Sequence, residues 1–256
     1  MPTRWTLIPT SPLPTDVSPL HLHALACRLF ETPDSDHTAQ VKPFTAALAP
    51  ASSGPEPASA PHLAVTWLHD ATEPDLVPHL ATPVALGSHT TRLILAERRA
   101  EPYTRLAAAP PATKVHVEFS TPAYVNQGGR QLPLPVPELL LAGLARRWDA
   151  FSPHPLPPGA VAETVESAHL ARHDIRTRPV GSGRHQRTGF VGSAVLALPS
   201  RASRPAQRAF TALWGFAAYA GVGAQTTHGL GYVRVHLRTA APPTASPAPA
   251  LSEKTP

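Results

Sequence analysis

Apolar and polar positions along the first hundred residues fall into the order strand, helix, strand, strand, helix, strand. Arg4–Ile8 reads as the first strand, and Pro12, Pro14 and Pro19 punctuate the loop after it. In "HLHALACRLFE", Leu22, Leu25, Leu29 and Phe30 recur at helical spacing. "TPDSDH" breaks that helix and "KPFTAAL" reads as a short extended piece. "PASSGPEPASAP" (50–61) is a loop by composition. "HLAVTWLH" predicts a strand, "EPDLVPHLA" a short helix and "TTRLILAER" a further strand.

The second half repeats the order loosely. "KVHVEFS" alternates Val115, Val117 and Phe119 with His116 and Glu118, the signature of a half-buried strand. "VPELLLAGLARRWDAF" is a helix with Pro137 in its first turn and an apolar stripe of Leu140, Leu144, Trp148 and Phe151. "GFVGSAVLAL" is a buried strand. "SRPAQRAFTALWGFAAYAG" is a helix with Ser203 as N-cap and Gly221 as its stop. "GYVRVHL" closes the set, with Tyr232, Arg234 and His236 on one face opposite Val233, Val235 and Leu237. Two tandem βαββαβ units fit this order, an α+β fold of two ferredoxin-like (RNA-recognition-like) domains. The expected division is 1–110, 111–240 and a disordered tail, 241–256.

Charge sharpens the division. Residues 1–110 carry seven Lys and Arg against ten Asp and Glu, and residues 111–240 carry fourteen against six. A basic second half suits a polyanion such as nucleic acid, or is simply a solvated basic face. Only Lys42, Lys114 and Lys254 are lysines, so most of the basic charge is guanidinium, suited to bidentate phosphate contacts. Cys27 is the single cysteine, which excludes an internal disulfide and a thiolate zinc site. No apolar run approaches the roughly 18 residues of a membrane span, and no signal-peptide core is seen, so the expectation is a cytoplasmic chain.

The least ordinary stretch is "GFAAYAGVGAQTTHGLGYVRV", with Gly221 and Gly223, then Gly229 and Gly231, flanking Gln225-Thr226-Thr227-His228. It is neither a dinucleotide fingerprint nor a P-loop: the order is helix, loop, strand, and no Gly-Lys is present. Glycines here either shape a turn or let the backbone approach a ligand, with free N–H groups meeting phosphate oxygens.

This stretch resembles the C-terminal glycine-rich signature of the CRISPR-associated endoribonucleases that cut precursor CRISPR RNA, the sixth Cas family within the RAMP superfamily. "KPFTAAL", "VEFSTPAYV…GGRQLPLPVPELLLAGLARRW" and "RTGFVGSAVLALP" resemble other segments of that family in the same order. The resemblance implies two ferredoxin-like domains that bind a CRISPR repeat. It also implies metal-free, cofactor-free cleavage by the ribose 2′-oxygen, leaving 2′,3′-cyclic phosphate and 5′-hydroxyl ends. Partners implied are CRISPR repeat RNA or crRNA, with other Cas effector subunits or a homodimer left open. The rival expectation is a catalytically silent RNA-binding RAMP subunit of an effector complex.

Such a cut needs proton-transfer groups near neutrality and positive charge at the phosphorane. The resemblance assigns a catalytic histidine to His37, after the first helix and before "KPFT", and a phosphate-stabilising role to Lys42. His23 on the first helix is the reserve; His21 lies on a different face. Some members place a tyrosine on this helix, whereas this chain has none before Tyr103 and carries Cys27 near that place. RNA contacts are expected from Arg172, Arg176, Arg178, Arg184 and Arg187 around a Gly-Ser-Gly loop that resembles a β-hairpin gripping an RNA stem. Arg130, Arg234 and the loop positions Gly221, Gly223, Gln225, His228, Gly229 and Gly231 complete the set. No metal-ligand set is visible; His21 and His23 diverge on a helix.

Overall fold

The computed structural model describes residues 1–13, 17–32, 41–51, 61–70, 73–181 and 186–238. His37, Arg184 and the expected tail from 241 lie outside the described residues. The first half begins with β1 (Thr3–Pro9), which turns Thr3, Trp5 and Leu7 inward and Arg4, Thr6 and Ile8 outward. α1 (Pro19–Phe30) starts at Ser18, whose hydroxyl accepts from the His21 amide while the His21 ring accepts from the Ser18 amide. Then follow β2 (Phe44–Ala49), β3 (His62–Trp67) and the short α2 (Val77–Leu80). A small hairpin of β4 (Val84–Leu86) and β5 (His89–Thr91) leads to β6 (Leu93–Ala100). The sheet order is β2-β3-β1-β6, antiparallel throughout.

α3 (Tyr103–Ala107), within the first 110 residues but packed into the second core, precedes β7 (Lys114–Ala123) and the hairpin of β8 (Val125–Gln127) and β9 (Arg130–Leu132). Helices α4 (Pro137–Phe151) and α5 (Pro158–Ser167) lead to the long hairpin of β10 (His169–Val180) and β11 (Arg187–Ala197). α6 (Arg204–Ala220), a 3-10 turn (Thr226–His228) and β12 (Val233–Arg238) follow. The sheet order β10-β11-β7-β12 repeats that of the first half, each with its first and third strands central, as in a ferredoxin-like fold. Each sheet has its own apolar core. In the second core the Leu140, Leu144, Trp148 and Phe151 stripe is buried, each side chain contributing on the order of 1.5–3 kcal/mol.

α3, α5 and the two short hairpins are additions to the expected order. α5 follows a proline cluster, and of its residues only Ala160 and Thr164 are buried, so apolar periodicity did not mark it. Thr164 offsets the cost of its burial by donating to Ala160 and Ala206 carbonyls at 2.7 and 2.9 Å. β10 is exposed along nearly its whole length, so it carries no alternation to read.

The halves join at the C-terminal end of α6. The last carbonyls of any helix lack partners within it. Here they are met from both halves. Arg4 donates to Ala218 at 3.4 Å and Thr66 to Tyr219 at 2.9 Å, while Arg147 donates to Ala220 and, at 2.8 Å, to Gly221. Among the described residues no helix is long and apolar enough to cross a membrane.

Candidate active site

Beyond that helix end the chain turns into the glycine-rich loop, which packs on α1 and β2. Gly221 stops α6 with a positive φ of 63°, its amide donating to Ala217 at 2.9 Å. The loop is braced from within. Val222 donates to Gly231, Ala224 to Tyr124, His228 to Gln225 and Gly231 to Pro122, all at 2.9 Å. Those four amides are committed to carbonyls. The glycines answer to the protein's own packing. A Cβ on Gly223 (φ 74°) would run into the Tyr124 carbonyl oxygen, and one on Gly229 (φ 89°) into Leu22 of α1. Gln225 holds a left-handed φ of 57° with a side chain, unlike any other non-glycine among the described residues.

Arg147 secures the loop's root. It sits on α4, is 8% exposed, and also donates to Thr226 Oγ1 at 3.1 Å. Burial, then the nearby Arg146 charge, pushes its pKa down to about 10. Its signal in the sequence is "ARRW", an arginine next to the buried Trp148.

This bracing delivers His228 onto His23. The two imidazoles stack with centroids 3.9 Å apart and planes 7° from parallel. Both rings are half-buried. Thr227 Oγ1 lies 2.9 Å from His228 Nδ1, and Cys27 Sγ lies 3.6 Å from His23 Nε2 one turn further along α1. Desolvation lowers the His23 pKa; a hydrogen bond to the Thr227 backbone and the Glu31 charge oppose it, and Lys42 adds to it. Desolvation, then the His23 charge, takes His228 down to about 4. The Cys27 thiol is pushed up to about 11 by burial and then by Glu31, so it stays neutral.

Lys42 is beside this pair but engaged. Its Nζ lies 2.7 Å from Glu31 Oε1, with side chains only 11% and 9% exposed. His21, by contrast, is spent on the α1 N-cap.

The arginines expected to hold RNA sort by exposure. Arg172, Arg176 and Arg178 are exposed and face the same way on β10, opposite Val195, Val191 and Gly189 of β11. Arg187 is half-buried near the Tyr124 hydroxyl, whose pKa burial raises and Arg187 only partly opposes. Arg130 is exposed on the β8–β9 hairpin. Arg234 pairs with Glu118 at 3.2 Å on the outer face of the second sheet, as the alternation of β12 implied. A cleft of about 750 Å³ between the edge strands β6 and β12 is lined by Arg4, Arg99, Arg105, Tyr219, Tyr232 and Arg234. The first three arginines belong to the acidic half and were not anticipated.

The tandem fold recurs in solved structures of low sequence identity. A RAMP protein binding different RNA substrates aligns over 92% of this chain with a TM-score of 0.52 at 9% identity, a likeness of fold alone. A narrower likeness is to one family. The sequence model of the CRISPR-associated endoribonuclease Cas6 family matches residues 117–233. A CRISPR-associated endoribonuclease Cas6 of Mycobacterium tuberculosis is 29% identical over 152 residues, 59% of this chain and 48% of that protein. The matched region thus spans about half the length of the curated relatives. A product complex of a Thermus thermophilus Cas6 superposes with a TM-score of 0.71 at 29% identity, covering 92% of this chain and 99% of that one. A second Cas6 in its product complex gives 0.72 at 27%, covering 92% and 100%. In sequence over its second half, and in fold over most of its length, the chain is similar to CRISPR-associated Cas6 endoribonucleases.

Proposed function

We propose that this protein is a metal-independent endoribonuclease that cuts CRISPR repeat RNA within precursor transcripts by attack of a ribose 2′-oxygen on the adjacent phosphate. The observation that carries the reading is His23 at the seam between α1 and the glycine-rich loop, half-buried and beside a cationic side chain. Burial keeps its imidazole neutral near neutral pH, the form that accepts a proton from the 2′-hydroxyl. As the P–O2′ bond forms, the P–O5′ bond breaks, leaving a 2′,3′-cyclic phosphate and a 5′-oxygen that needs a proton. His37, the catalytic histidine by family resemblance, is the candidate for the other proton transfer. Lys42 is assigned to the phosphorane charge by the same resemblance; to act there it must share or release Glu31.

The exposed Arg172, Arg176 and Arg178, with Arg130 and Arg187, grip the RNA backbone, and the two halves, 1–110 and 111–240, act as the domains between which the RNA is cut. Solved Cas6 relatives in complex with product and with a substrate mimic favour repeat RNA as the partner. The deciding experiment uses repeat RNA with one deoxyribose just 5′ of the scissile phosphate. It should bind and stay uncut, while the all-ribose RNA is cut in EDTA. Activity that is lost in EDTA and restored by magnesium would overturn the mechanism. Binding without any cut would favour a silent RNA-binding subunit.

A further inference from the structure

We propose that His228 is the positioning residue for His23, stacking on its face to fix the ring's plane and keep it in the proton-accepting form. The inference rests on the endoribonuclease reading for its consequence in catalysis, though not for its geometry. At 3.9 Å and 7° the rings are too close and too parallel to stand on opposite sides of a phosphate as an acid–base pair. They suit a different division of labour, in which one ring meets the RNA and the other holds it.

A histidine on an exposed helix turn has free rotation about two bonds. Here, one side of His23 is closed by Cys27 Sγ at 3.6 Å and one face by the His228 ring. His228 cannot swing away easily. Its own amide is bonded to Gln225, its Nδ1 meets Thr227 Oγ1, and the next residue, Gly229, is pressed on Leu22 of α1. The stack also excludes water from one face of His23, and desolvation disfavours its charged form. The charged and titratable groups around His23 are Glu31, Lys42, Cys27 and His228. Glu31 and Lys42 pair at 2.7 Å and act on His23 in opposite senses, and the thiol stays protonated, while the stacked ring shields one face of His23 from water.

The test compares His228→Ala, which removes the ring, with His228→Phe, which keeps a flat ring and no titration. Two readouts are taken on the full chain. One is the titration of the His23 ring protons by NMR, assigned with His23→Ala. The other is single-turnover cleavage of repeat RNA against pH. In His228→Ala, solvent reaches His23, so its titration moves to higher pH. Cleavage slows by about tenfold to a hundredfold, most at the acid end, at near-parental RNA affinity. His228→Phe keeps the rate within about threefold of the parent, for the same reason of geometry. It also keeps the His23 titration near its parental position.

A His228→Ala protein with parental titration and rate overturns the proposal. So do two variants that slow equally while His23 titrates as in the parent, because His228 would then be moving a proton itself. If the parent chain cuts no repeat RNA, the endoribonuclease reading has failed, and the His23 titration alone still decides whether His228 sets it.

Discussion

The glycine-rich loop and the β10–β11 hairpin are both rich in functional residue types, yet they are built in opposite ways. Around the loop, His23, His228, Lys42 and Arg147 are each wholly or half buried and each has a named partner. On the hairpin, Arg172, Arg176 and Arg178 stand exposed in one row on a strand that buries almost nothing. Proton transfer needs a ring held in one place at one protonation state, which demands packing. Phosphate attraction tolerates movement, and exposed guanidinium groups keep their full charge for it. A change at the loop should therefore act sharply and through neighbours, whereas changes on the hairpin should be graded and sensitive to salt.

The largest expected effect tests the loop side. His23→Ala should bind repeat RNA at near-parental affinity but cut at least about a hundredfold more slowly in single turnover. His37→Ala, run alongside, ranks the candidate assigned by resemblance. Parental rates in both variants of a verified cutting enzyme would dismantle the catalytic centre.

Next comes Arg147→Met, which keeps the stem volume and leaves the Ala220, Gly221 and Thr226 acceptors without their donor. The expected loss is about 2–4 kcal/mol in urea unfolding, since buried acceptors stripped of a charged donor are costly. A melt within about 0.5 kcal/mol of the parent would mean that the loop root holds itself.

On the hairpin side, Arg176→Ala with Arg178→Ala should weaken RNA binding and lower the slope of log affinity against log salt by about one for each phosphate no longer neutralised. The cleavage rate of saturated enzyme should stay near parental. An unchanged slope would remove the hairpin from the RNA grip.

The smallest effect is a pH dependence of stability. His228 is held down to about 4 in the fold, against 6.5 for the ordinary side chain. Between those values the unfolded chain binds the extra proton, so stability is full above about pH 6.5 and falls as pH drops towards 4. His228→Gln should flatten that part of the melting-temperature curve by a small amount, because the ring is only half-buried.

Much of the fold was legible because it rests on local rules. The alternation of β7, the Ser203 N-cap, the proline opening α4 and the Gly221 stop of α6 all depend on neighbours within a few residues. The order of these elements in each half was enough for the ferredoxin-like repeat. Periodicity marks neither strand β10, which only the resemblance to a β-hairpin offered, nor helix α5, because neither buries a face that it can register. The site was legible only as a set of residue types. Helical geometry already separates His21 from His23 in "HLH", but only the structure shows that one caps its own helix and the other meets the loop.

What the chain determined locally is therefore the two folded units, their helix ends and a glycine-rich link that must bend back at the end of α6. The tertiary structure decided where that link lands. The carbonyls at the end of α6 recruit donors from both halves, the glycines accept the tight backbone contacts this requires, and His228 comes to rest on a ring near the other end of the sequence. No pattern along the chain encodes that meeting. Periodicity specifies which face of an element is buried, while the partner of that face depends on how two separately closed sheets pack together.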